Sequence, residues 1–293
     1  MQLTAHAKKQ INEYYRLTKP GIIYGNALSI IAGFLLACTH HFNPTLFAGT
    51  LISICLVMAS GCVFNNVLDR KIDARMDRTK TRAIVSGKIS VKNALIYATI
   101  LALLGFYLLM HITNDVTVLL GLIALVDYVL IYGLAKRKTI RSTEIGAIAG
   151  SLPPVAGFTA VTGSITTPAI FLFVALTAWQ MAHFYSIALF RQNDYLSAGL
   201  PVISVKRGVR PTQKLIRMYI GIFFVAVLLF SVFSYTGTIY TVALTVVSVW
   251  WYLKALKNAS IRDSEKWART VFKASLIVLL TFCFFVSFGR HLG

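Results

Sequence analysis

Long apolar runs separated by short polar intervals dominate the chain. A helix needs about 20 mostly apolar residues to cross a bilayer. Nine runs meet that length: 21–41, 45–68, 91–112, 116–135, 143–162, 167–190, 215–235, 238–257 and 270–289. The fifth contains Pro153-Pro154 and several glycines, so it reads as a kinked or broken helix, tolerable where neighbours satisfy the freed carbonyls. The pattern predicts an all-α polytopic membrane protein with nine transmembrane helices in a single domain over 1–293. A polar, basic tail over 1–19 and two long loops, 69–90 and 191–213, complete it. Residues 1–19 lack the apolar region and small-residue cleavage site of a removable signal.

Composition supports this reading. Of the 293 residues, 57% are hydrophobic and only 13% charged, against roughly a quarter charged in ordinary soluble domains. A formal charge of +19 would suggest nucleic acid in a soluble protein, but here position decides. If the nine spans are right, 28 of the 29 lysines and arginines fall on one side and Arg290 alone on the other. The positive-inside rule makes that side cytoplasmic, with the N-terminus inside and the C-terminus outside. The expected partner is therefore membrane lipid, with no nucleic acid. The tail lacks a long Arg/Ser-rich transit segment, which favours a bacterial plasma membrane. Cys38, Cys55, Cys62 and Cys283 sit in apolar stretches without ligand spacing and read as small buried hydrophobes.

Chemistry concentrates where the second span meets its loop. Asn65, Asp69, Asp73 and Asp77 stand four residues apart. In a continued helix each step drifts only about 40°, so all four line one face. Stacked carboxylates repel and need a compensating cation, and oxygen ligands suit Mg²⁺ shared with phosphates. Arg78, Lys80 and Arg82 follow as candidate phosphate donors. Asp77 reads equally as a ligand or as a solvated partner for a nearby arginine. The second long loop holds Arg191 and one acid, Asp194. That acid is either a facing half of the same site or a local ion pair with Arg191. His183 reads as a helix-packing residue or a proton carrier. Asp127 is an ionisable group inside the fourth span, where function is the default reading. Beside it, Tyr128 and Tyr132 could flank a carbocation or simply pack.

These motifs resemble the UbiA superfamily of intramembrane prenyltransferases. Asn65-x3-Asp69-x3-Asp73 followed by Arg78-Thr79 and Arg82 is similar to its first aspartate motif. Leu17-Thr18-Lys19-Pro20, Asn26, Lys136-Arg137, Pro153-Pro154-x2-Gly157, Trp179-Gln180-x2-His183 and Asp194-Tyr195-x2-Ala198-Gly199-x-Pro201 resemble its haem-farnesylating branch. The resemblance covers about 14–290. It implies a UbiA-type bundle with a cytoplasm-facing cleft, Mg²⁺ as cofactor, and farnesyl diphosphate and haem b as substrates. A haem A synthase or a terminal oxidase assembly would be a neighbour. Asp69, Asp73 and Asp194 would be catalytic, with Asn65 and Asp77 as further metal ligands. Arg78, Lys80, Arg82 and Arg191 would bind diphosphate. Asn26, Asp127, Tyr128 and His183 would contact haem or the prenyl chain. A quinone-precursor prenyltransferase is the nearest alternative. A secondary transporter fits less well, because the acids lie at helix ends and no internal repeat is found.

Overall fold

The computed structural model describes residues 2–39, 41–256 and 263–289. His40, Lys257, Arg262 and Arg290 lie outside the described residues. Thirteen α-helices run in chain order: α1 Gln2–Leu17, α2 Pro20–Ala37, α3 Pro44–Asp73, α4 Val91–Ile112, α5 Asp115–Val126, α6 Tyr132–Lys138, α7 Ser142–Thr162, α8 Thr167–Phe190, α9 Gln192–Ser197, α10 Ile203–Lys206, α11 Val209–Val232, α12 Thr238–Leu256 and α13 Ser264–Phe288. A π-helical turn, Asp127–Ile131, joins α5 to α6 into one span. Among the described residues nine helical segments are long and apolar enough to cross a membrane. Leu103, Met110, Val232 and Val246 are each more than half exposed. On a water-soluble surface such side chains would be an anomaly, whereas lipid is their natural solvent.

α7 and α8 are the inner helices; α7 packs on α2 and α5, and α8 on α7, α11 and α13. Small side chains line α7, with Ala147, Ala149, Ser151, Ala156 and Gly157 all buried, and such residues let membrane helices approach closely. At Gly33 of α2 an added Cβ would fall 1.9 Å from the Pro154 carbonyl oxygen. Only glycine fits there. This close packing holds α7 as one helix through Pro153 and Pro154, so the expected break is absent. The irregularity lies one span earlier, at the π-turn. There the buried Asp127 accepts a hydrogen bond from the Ala149 amide of α7 at 3.2 Å.

The N-terminal stretch read as a tail is the helix α1, pinned to the bundle along its inner edge. Tyr14 meets Tyr97 of α4 edge-on at 5.2 Å, and Glu13 accepts from Lys88 at 2.8 Å. Finally, α3 has 30 residues, roughly 45 Å at 1.5 Å per residue, against a hydrocarbon layer of about 30 Å. Its last turns, which carry the acids, therefore stand beyond the hydrocarbon.

Candidate active site

Three elements and two loops meet at the overhanging end of α3. Asn65, Asn66, Asp69 and Asp73 are all buried there. α3 stops at Asp73, because the chain turns back so that the Thr79 hydroxyl donates to the Asp73 carbonyl oxygen at 2.9 Å and Met76 is buried. The predicted stripe thus ends at its third member, four residues short of Asp77. Asp77 lies outside the helix with a 90% exposed side chain, paired to Lys80 at 2.7 Å. Lys80's hydrogen bond holds the Asp77 carboxyl below its usual range. Neither Asp77 nor Lys80 joins the buried group; Asp77 takes the solvated-pair arrangement, with Lys80 in place of an arginine.

Asp69 and Asp73 each have a cation. Lys136 Nζ, at the end of α6, donates to Asp69 Oδ2 at 2.5 Å, and Arg137 Nη2 lies 3.5 Å from Asp69 Oδ1. Arg82 Nη1 donates to Asp73 Oδ2 at 2.6 Å and reaches Asn66 Oδ1 at 3.3 Å. Lys19, in left-handed backbone between α1 and α2 (φ 54°), donates to Asn65 Oδ1 at 3.0 Å. Burial pulls the Lys19 ammonium below its ordinary pKa; the nearby charges of Arg82 and Lys136 push the same way, while Cys62 and Asp69 oppose. Asn66 is fixed from the other direction, donating to the Leu17 carbonyl at 2.8 Å. Partners 46 to 67 residues apart in sequence thus converge on one helix end.

The second loop closes over the first. Asp194 Oδ2 lies 3.9 Å from Arg78 Nε and 3.7 Å from Arg191 Nη1, and Ser197 donates to the Arg75 carbonyl at 3.2 Å. Arg191 also sits over the Phe190 ring at 5.6 Å. Tyr195 is pushed up in pKa by burial; Asp194 adds to this, and Arg78 and Arg191 oppose it. Arg82 thus reaches Asp73, while Arg78 and Arg191 reach Asp194, whose loop touches the first through Ser197. Lys136, Arg137, Lys19 and Asn66 belong with them geometrically. The sequence offered one signal for the first two: a basic pair ending a span on the same side as the acids.

Other candidates take different surroundings. Tyr128 stacks on Tyr132 at 5.8 Å, and Lys136 Nζ lies 5.0 Å over the Tyr132 ring, so the aromatic pair runs from the acids into the fourth span. His183 packs: it stacks on Trp179 at 4.8 Å, and its Nδ1 is 2.7 Å from the Ser275 hydroxyl of α13. Asn26 is half-buried and donates to the Ile22 carbonyl of its own helix.

Comparison with known proteins follows this geometry. A profile described as "UbiA prenyltransferase family" matches residues 26–277. A protein named protoheme IX farnesyltransferase, from Klebsiella pneumoniae subsp. pneumoniae, is 44% identical over 268 residues, covering 91% of each chain. Among solved structures, a digeranylgeranylglyceryl phosphate synthase aligns with a TM-score of 0.78 at 19% identity, over 95% of this chain and 99% of that one. A UbiA homologue from Archaeoglobus fulgidus bound to GPP and Mg²⁺ aligns at 0.66 and 20% identity, over 94% and 99%. At such identities these last two report the fold.

Proposed function

The chain belongs to the UbiA prenyltransferase family, and from that premise we propose that it transfers the farnesyl group of farnesyl diphosphate to the 2-vinyl group of haem b, with addition of water, giving haem O and diphosphate. The observation that carries the reading is the 44% identity to a protoheme IX farnesyltransferase over nine-tenths of both chains. It is an integral membrane protein. We place it in the inner membrane of a bacterium, with the acid-bearing end of the bundle cytoplasmic.

The residues fit a divalent cation that arrives with phosphate. Asp69 Oδ1 and Asp194 Oδ2 are buried and accept no hydrogen bond. Mg²⁺ takes one or two carboxylates and completes its shell with phosphate oxygens and water, which suits the two unpartnered oxygens. Asp69 and Asp73 would hold it, with Asn65 and Asp194 alongside. When bound it supplies charge neutralisation for the departing diphosphate.

Arg78, Arg82, Lys136, Arg137 and Arg191 are each within reach of a carboxylate. A diphosphate entering the group gives them a more highly charged partner, and they orient it with its allylic carbon toward the bundle. The C–O bond to diphosphate breaks with the electron pair leaving on oxygen. The allylic carbon bonds to the terminal vinyl carbon, water adds to the adjacent carbon, and a proton is lost to solvent. The Tyr128–Tyr132 stack presents ring faces on the bundle side of the acids, where they stabilise positive charge on the allylic carbon. The test is incubation of membranes with farnesyl diphosphate and haem b, followed by chromatographic separation of haems. A haem O peak is expected. Its absence alongside a prenylated quinone precursor would overturn the acceptor assignment.

A further inference from the structure

Away from the acids, α11 and α12 part to leave a groove of about 560 Å³. Gly221 and Phe224 line one wall, Ser248 and Tyr252 the other, and Lys214 and Arg217 stand at one end. That end is the one that carries the acids, because α11 begins just after α9 and α10, which close over them. The groove opens outward: Met218, Val249 and Tyr252 beside it are exposed, so lipid is what it meets. Three observations specify the occupant. No acid lines the groove, and its basic end lies at the membrane boundary, which complements an anionic head. Arg217 is fixed there by donating from Nε to the Ala255 carbonyl at 2.8 Å. Ser248, 1% exposed and one turn deeper than Tyr252, has a hydroxyl with no hydrogen-bond partner. A serine inside a helix can usually satisfy itself on the preceding turn; this one is left for a ligand oxygen. Around Gly221 an added Cβ meets nothing within 4 Å, so the space is real and a side chain there would fill it.

We propose that this groove binds one anionic phospholipid, its head on Lys214 and Arg217, its ester region at Ser248, and one acyl chain past Gly221 and Phe224. The proposal is independent of the reaction assigned above. It is tested by native mass spectrometry of the full chain in detergent, titrated separately with phosphatidylglycerol, phosphatidylcholine and inorganic phosphate. One retained phosphatidylglycerol is expected, with phosphatidylcholine retained far less and phosphate not competing. Lys214→Gln should weaken phosphatidylglycerol about 5-fold, the worth of one basic residue at a charged lipid surface. Because Lys214 is exposed, that variant should fold. Gly221→Leu should abolish retention of both lipids while raising helix propensity. Equal retention of the two lipids, indifference to both substitutions, or displacement by phosphate would overturn the proposal. Displacement by haem b would do so too, reassigning the groove to the acceptor.

Discussion

At Asp69 and Lys136 a buried carboxylate and a buried ammonium depend on each other. The side chains are 12% and 9% exposed, so removing Asp69 strands the ammonium in a poor dielectric, and removing Lys136 leaves the carboxylate only its longer contact to Arg137 at 3.5 Å. Lys136→Met should destabilise the protein by about 3 kcal/mol, and pairing it with Asp69→Leu should recover most of that loss. Thermal unfolding of both singles and the double in one detergent measures this; additive losses would contradict the coupling. Asp73 carries a different expectation. Asp73→Asn keeps an acceptor for Arg82 but removes charge from the proposed Mg²⁺–diphosphate, so turnover should fall roughly 10²-fold. Asp77→Asn, on an exposed side chain, should stay near the wild-type rate. Haem O assays across a Mg²⁺ titration separate the two, and equal rates for both would remove Asp73 from the proposed site.

The helices themselves were legible because a bilayer leaves so few choices: the 3.6-residue repeat matters little when whole runs of about 20 residues must be apolar. The second span's acids were legible down to Asp73 for the same reason, as a polar face on a helix already required to exist. What the sequence hid were features settled by contacts far along the chain. Pro153 and Pro154 read locally as a kink or break, yet α7, packed against α2 and α8, continues as one helix through them. The π-turn at Asp127 has no local signature, and α1 looks like a tail until Tyr14 finds Tyr97. Lys19 enters the acid group through a bond to Asn65, 46 positions away, and Asn66 is held to Leu17, 49 positions away. The α2–α7 contact yields a sharp comparison within one helix. Gly33→Ala forces backbone apart at Pro154 and should cost several kcal/mol, while Gly25→Ala, with nothing within 4 Å of the new Cβ, should be neutral or slightly stabilising. Melting temperatures of the two variants decide it; matched values would mean that the close approach is not needed.

For the molecule as a whole, the proposed orientation makes a direct prediction. With Cys38, Cys55, Cys62 and Cys283 replaced, Ser164→Cys on the proposed outer side should react with an impermeant maleimide on intact cells. Lys138→Cys, beside the acids, should react only after permeabilisation; the reverse pattern would invert the topology. The overhang of α3 then bears on how the donor is found. A molecule with a diphosphate head and a polyprenyl tail is an amphiphile, already lying in one leaflet with its head at the surface. The end of α3 puts Asp69 and Asp73 at that height. Capture is therefore a two-dimensional search within the leaflet, with no charged head flipped across the hydrocarbon. At low donor its rate should follow the mole fraction of prenyl diphosphate in the lipid, and adding inert lipid should slow the reaction by dilution alone.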